Sequence, residues 1–423
     1  MEITTKLVSK KLLTPAFICL WIIMFLVEFV KGALIVSILP VYMGDVLKLS
    51  AFAIGLSFSL QYIGDNVFRS PAGWFIERVG FRMTMLIGLL ITFFAVLLIA
   101  MTDKMGFIVL GCALIGMGTA PLWPCVLMGI SSVTRENNNF GTAMGVIQIS
   151  SLGGTGTGPV VINFFVDGSY RPVFWFLLAL MGVVVIVSMF LPGKAKSNAY
   201  ASPAAPDSGE ASLWEGGLRG VLSNVKRSVQ HIRDNLHVSR LLFPALFLQT
   251  FSIGLLTPVI TLFVRSELNL SPEAFSALLV TGGGITVIGL IPIGKLVDRF
   301  GTRWFLHIGF AMAAVSIGLF AVTRTIPMIW IIVIFIGISY ACILPTWDTM
   351  ISHLLPEGEK GTVWGLFLTI QGSGMVVGPI VSGKMWDMLG PSAPFMASAI
   401  VMAVLFFVHI VMLKSEKSLP RVK

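Results

Sequence analysis

Hydrophobic positions run in long stretches separated by short polar connections. Stretches long enough to cross a bilayer, about 20 residues each, occupy 15–43, 51–76, 83–102, 106–131, 142–166 and 172–192. A second set occupies 241–264, 274–297, 304–323, 327–352, 362–386 and 392–413. The pattern predicts an all-α membrane protein with twelve transmembrane helices in two six-helix bundles. Between the sets, KSNAYASPAAPDSGEAS (196–212) is too rich in Ala, Ser and Pro to hold a core. Beyond it, Trp214, Leu218, Val221, Leu222, Val225, Val229, Ile232 and Leu236 recur at helical spacing, with Lys226, Arg227 and Arg233 between them. A tether followed by an amphipathic helix on the membrane face is expected there. The predicted division is a bundle at 1–192, a linker at 193–240 and a second bundle at 241–423.

The two sets are related. GWFIERVGFR (73–82) and GKLVDRFGTR (294–303) share glycine, acid, arginine, glycine and arginine at one spacing. PLW (121–123) answers PTW (345–347), GTAMG (141–145) answers GTVWG (361–365), and GPVV (158–161) answers GPIV (378–381). Four matches in order at nearly constant separation identify an internal duplication, with pseudo-symmetric halves.

Composition agrees with a membrane protein: 56% of residues are hydrophobic and 12% charged. The net charge of +9 raises nucleic acid as a partner, and the placement of the cations answers it. With the N-terminus inside, Arg78, Arg82, Arg135, Lys295, Arg299, Arg303 and the cluster from Lys194 to Arg240 all fall on the cytoplasmic side. This positive-inside bias puts both termini in the cytoplasm, and nucleic acid becomes an unneeded explanation. Lys6, Lys10 and Lys11 precede an apolar stretch too long for a signal-peptide core, so the first helix is expected to be retained. Cys19, Cys112, Cys125 and Cys342 lie within spans and suggest no extracellular disulfide framework. No GxSxG, HExxH, Walker loop or cysteine-histidine metal cluster occurs, so neither an enzyme nor a metal or organic cofactor is expected.

Charges inside the spans carry the chemistry. MFLVEFVKGALIV (24–36) places Glu28 about halfway along the first span, with Lys31 three residues on and on the same helical face. Asp65 lies near the middle of the second span, with Arg69 one turn further on. A charge at mid-bilayer costs roughly 2.5 to 3.5 kcal/mol on insertion scales and is kept where it faces partners or water. The pairs can simply fix helix rotation, or they can line a transport cavity. Desolvation and a nearby cation act oppositely on a carboxylate's proton affinity, and alternating access changes both. Since none of the five histidines falls near a predicted midplane, Glu28 and Asp65 are the candidate proton carriers. Lys31 and Arg69 are candidate headgroup contacts. Trp123 and Trp347, each two residues after a proline, offer aromatic faces for a sugar or headgroup, or else they pack or anchor at the interface. Gln148, Gln249 and Gln371, together with Gln61, can line the cavity or hydrogen-bond between helices. Asp348, near the cytoplasmic end of its span, is assigned to gating.

The duplicated halves, the long central loop and the glycine-acid-Arg-x-Gly-x-Arg connection resemble the major facilitator superfamily. In that superfamily two bundles rock about a midplane cavity. The resemblance gives Gly73, Glu77, Arg78, Gly80 and Arg82, with Asp298 and Arg299, a conformational role. GGTGTGP (153–159) follows no strand, so it is not a nucleotide loop. It resembles the fifth-helix glycine motif of superfamily antiporters, with Gly154, Gly158 and Pro159 in the motif positions. Cys112 stands where the superfamily's drug exporters commonly carry arginine. FLVEFVKG, SLQYIGD, APLW, LLFPALFLQ, ILPTWDT and VWGLFLTIQGSGMVVGP together resemble the proton-coupled flippases of Gram-positive bacteria that move the diglucosyl-diacylglycerol anchor of lipoteichoic acid. That resemblance puts Glu28, Lys31, Asp65 and Trp123 at cavity positions. It also implies an amphipathic glycolipid substrate, a proton gradient as energy source, a monomer and the bacterial plasma membrane. Lys31 stands where those flippases carry arginine, and Ser151 where a second tryptophan is expected. The competing expectation is a proton-coupled efflux antiporter for drugs or other small amphiphiles.

Overall fold

The computed structural model describes residues 14–134, 140–165, 170–192, 241–353 and 360–417. The predicted linker and its amphipathic helix lie outside them. The described residues group into helical segments α1 (Pro15–Val46), α2 (Ala51–Val79), α3 (Phe81–Met101), α4 (Met105–Thr119, then Leu122–Thr134), α5 (Phe140–Asn163) and α6 (Arg171–Ser188). The second half follows as α7 (Leu242–Leu256, then Ile260–Ser266), α8 (Pro272–Phe300), α9 (Thr302–Val322), α10 (Ile326–His353), α11 (Lys360–Leu389) and α12 (Ala393–Lys417). Among the described residues, nine of these segments are long and apolar enough to cross a membrane. The other three, α2, α5 and α11, are also long but carry more charged, polar or small residues. Each of them packs against a helix of the opposite half, which explains the milder composition.

Local chemistry sets the boundaries in both halves alike. Ser50 and Ser271 cap α2 and α8, each accepting from a backbone N–H three residues on (Ala53 and Ala274) at 3.3 Å. The same helices stop at Gly80 (φ 93°) and Gly301 (φ 81°), left-handed positions that suit glycine. The duplication read in the sequence is therefore also a duplication of turns. α1 departs from the pattern: after Gly32 it runs π-helical over Ala33–Ile38 and again over Tyr42–Val46.

Between transmembrane helices, lipid supplies little hydrophobic driving force, so close packing of small residues holds them together. A Cβ at Gly154 or Gly158 of α5 would lie 2.3 or 2.2 Å from the carbonyl oxygens of Phe25 and Phe29 on α1. In the second half, a Cβ at Gly374 of α11 would lie 2.5 Å from the Phe247 carbonyl oxygen on α7. Each half adds its own aromatic and aliphatic core, around Phe58 and Phe174 in the first and Phe263, Phe310 and Phe395 in the second.

The halves are joined at one end. The Thr261 hydroxyl of α7 donates to the Val36 carbonyl of α1. The Ser276 hydroxyl of α8 donates to the Val160 carbonyl of α5 at 3.1 Å, and Asp387 of α11 meets the start of α2. Towards the opposite end, a Cβ at Gly73, Gly145 or Gly294 would meet nothing within 4 Å.

Candidate functional site

The charged residues of α1 and α2 form one cluster, which α5 closes on one side. Glu28 is buried at 8% exposure, and Lys31 approaches its carboxylate at 3.8 Å with 21% of its side chain exposed. Asp65 holds Arg69 by a 2.7 Å charged hydrogen bond, the two side chains being 14% and 34% exposed. The pairs are not independent, because Lys31 interacts electrostatically with Glu28, Asp65, Tyr62 and Arg69. From α5, the Thr155 hydroxyl donates to Glu28 at 3.2 Å, and it also lies 3.0 Å from the Ser151 carbonyl oxygen of its own helix. Glycines bring α5 close enough for this: a Cβ on Gly32 would fall 2.6 Å from the Thr155 carbonyl oxygen.

Tyr62 joins the cluster, although the charges inside the spans do not by themselves single it out. Its phenol faces Thr257 at the break in α7, while its charged neighbours Lys31, Asp65 and Glu28 belong to the first half. Three residues before Asp65, it shares that acid's helical face. That spacing is the signal that points to it.

On the far side of Thr155 lies an apolar cavity of about 310 Å³. Val36, Thr155, Gly156 and Pro159 form its wall in the first half, and residues of α7 to α10 and α12, among them Leu278, Phe320 and Phe395, form the rest. A charged cluster and a greasy chamber thus share one residue.

The structure places the remaining expected residues less uniformly. Trp123 is half-buried against the first core. Trp347 is 2% exposed and packs edge-on against Phe310 at 5.9 Å, inside the second bundle and not beside the charges. Gln249 is buried within α7, Gln148 is exposed on α5, and the Gln371 backbone carbonyl accepts from the Thr250 hydroxyl at 2.6 Å. Gln61 packs against α4, where a Cβ on Gly116 would lie 1.8 Å from its carbonyl oxygen. Of the conformational motif, Arg78 and Arg299 are exposed and Arg82 is half-buried, and Arg299 lies over the Phe300 ring at 5.3 Å. The side chains of Glu77 and Asp298 lie outside the described residues. Among the described residues, no three His, Cys, Asp or Glu side chains are grouped to hold a metal ion.

Two repeated helical bundles with buried charges and a chamber at their junction define a multi-pass membrane protein of the secondary-transporter class. The sequence signature of the Major Facilitator Superfamily spans residues 20–236 and 242–423. The chain belongs to that superfamily and is a transporter. It is 26% identical over 375 residues to the proton-coupled antiporter flippase LtaA of Staphylococcus saprophyticus, covering 87% of this chain and 86% of that one. To the protein of the same name in Staphylococcus aureus it is 24% identical over 371 residues, covering 87% of each. The fold is similar to the crystal structure of the nucleoside transporter NupG (TM-score 0.76, 16% identity, 94% of this chain and 99% of that chain). It is also similar to a POT family transporter in complex with a thioalcohol-conjugated peptide (TM-score 0.72, 14% identity, 98% and 99%).

Proposed function

We propose that this transporter is a proton-coupled antiporter that flips an amphipathic glycolipid, of the lipoteichoic-acid anchor type, by alternating access. One observation carries the reading: Thr155 touches both the Glu28 carboxylate and the apolar cavity. A substrate with a sugar head and acyl tails fits such a divided site, head towards Lys31, Arg69 and Trp123, tails in the cavity. The similarity to curated flippases over most of the chain supports the same class of substrate.

Glu28 and Asp65 are the proposed proton carriers. Each faces a cation in the same helix and sits where opening to either side changes its hydration. The turns at Gly80 and Gly301, with their flanking acids and arginines, are the proposed conformational elements. With both termini in the cytoplasm, as the distribution of cations supports, the joined end faces outward and the molecule is inward-facing. The protein acts as a monomer in the bacterial plasma membrane.

A fluorescent diglucosyl-diacylglycerol flip assay beside a dye-efflux assay, both in proteoliposomes with an imposed pH gradient, tests the substrate. Gradient-dependent glycolipid flipping without dye transport is expected. Dye transport without flipping would make the chain an efflux antiporter for small amphiphiles. The largely apolar wall of the cavity is the feature that favours that second reading.

A further inference from the structure

The start of α2 is completed by the opposite half of the molecule. A helix leaves its first backbone N–H groups without partners inside the helix. In α2, the Ala53 N–H is taken by the Ser50 hydroxyl and the Ile54 N–H by the Ser50 carbonyl. The two that remain, Ala51 N–H and Phe52 N–H, donate to the two carboxylate oxygens of Asp387 at 3.0 and 2.9 Å. Asp387 belongs to α11, so this cap crosses the junction between the halves. A carboxylate at a helix N-terminus also meets the positive end of the helix dipole.

Close backbone approach puts Asp387 in position. A Cβ on Gly383 would lie 2.2 Å from the Ala51 carbonyl oxygen, and one on Gly55 would lie 2.0 Å from the Pro379 carbonyl oxygen. The backbones of α2 and α11 thus approach closely beside the cap.

The repeat-related helix α8 makes no such demand. Its first residue, Pro272, has no N–H to satisfy. The next, Glu273, brings its own carboxylate to the first turn of the helix. The Phe275 N–H is taken by the Ser271 carbonyl at 3.0 Å. Two helices that start alike through their serine caps therefore differ at the next two positions, and in α2 those positions are capped from the other half.

We propose that Asp387 is the latch of the joined end, a positioning residue that holds the α2–α11 seam shut; among the described residues, no carboxylate of α5 reaches the start of α8 in this way. Opening that end exchanges two charge-assisted hydrogen bonds for water. The inference rests on the alternating-access reading, with Asp387 setting the balance between closed and open forms. Losing a charge–dipole contact of this kind changes such a balance by about twofold to fivefold.

The test is a spin-label distance distribution across the joined end in the full-length protein in lipid nanodiscs, with labels at Lys104→Cys and Ile326→Cys in a Cys19→Ser background. These label positions are exposed, sit on opposite halves and do not touch Asp387. The expected result is a longer-distance population raised about twofold to fivefold by Asp387→Asn and by Asp387→Ala, with Glu273→Gln matching the unsubstituted chain. Unchanged distances in both Asp387 variants, or equal lengthening in Glu273→Gln, would overturn the proposal. The readout needs neither substrate nor gradient, so it is decided separately from the transport reading.

Discussion

Thr155 donates its hydroxyl to Glu28 at 3.2 Å while standing 3.0 Å from the Ser151 carbonyl oxygen. One proton thus has two acceptors, a carboxylate on α1 and a backbone carbonyl on α5. This hydroxyl therefore ties α1 to α5 beside the proposed proton carrier.

That link is open to a direct substitution. A hydrogen bond to a charged group is worth about 1.5 to 3 kcal/mol. Thr155→Val keeps the shape and removes the donor, so gradient-driven transport should slow by about tenfold. Thr155→Ser should retain most of it. Initial rates in proteoliposomes, normalised to protein content, check both.

The glycines of α5 make a contrasting pair. A methyl group on Gly158 would lie 2.2 Å from the Phe29 carbonyl oxygen, whereas on Gly156 it would meet nothing within 4 Å. Gly158→Ala should force α1 and α5 apart and cost about 1 to 3 kcal/mol, the usual range for overpacking. Gly156→Ala should leave stability unchanged or slightly raised. Thermal unfolding in detergent separates them.

At the joined end, the Tyr42 phenol donates to Asp103 at 2.6 Å and Arg171 pairs with the same carboxylate at 3.1 Å. Asp103 lies in the connection after α3, and the phenol, followed by Arg171, holds its carboxyl below the usual range. A carboxylate depressed on folding stabilises the protein above its unfolded value, about 3.9, and loses that contribution as pH falls through its folded value. Tyr42→Phe should therefore lower the unfolding temperature at pH 7, and the difference should shrink on acidification below about pH 4. The Asp103 and Arg171 side chains are 57% and 70% exposed, so screening keeps the effect small.

The two tryptophans related by the repeat should behave differently. Trp347 is core, so Trp347→Ala should cost about 3 to 5 kcal/mol of stability with no change in apparent substrate affinity among the molecules that fold. Trp123 is half-buried, and Trp123→Ala should raise the apparent KM for glycolipid with little loss of stability. Titrating flipping rate against glycolipid content, alongside thermal unfolding, distinguishes the two.

The span pattern and the repeat were readable because membrane thickness and gene duplication both write themselves into spacing. The pairing of Glu28 with Lys31 and of Asp65 with Arg69 was readable from helical offsets within one chain segment. Which face a residue presents was harder to read. Trp347 and Gln61 lie within spans, but rotation about their helices turns them into packed interfaces. A span that is apolar all round gives no periodic signal of that rotation. A tyrosine in a span, such as Tyr62, reads as packing until its neighbours in space are known. The contact of Asp387 with α2 joins residues more than 330 positions apart, and nothing local in the sequence announces it.

Glu28 and Asp65 are proposed to carry protons in exchange for substrate. Luminal pH, followed with a trapped fluorescent indicator while diglucosyl-diacylglycerol is flipped in proteoliposomes, measures this directly. The unsubstituted protein should move protons only when glycolipid is present, and Glu28→Gln with Asp65→Asn should abolish that flux while the protein remains folded. Substrate-dependent proton flux that persists undiminished in the doubly substituted protein would mean that other groups carry the protons.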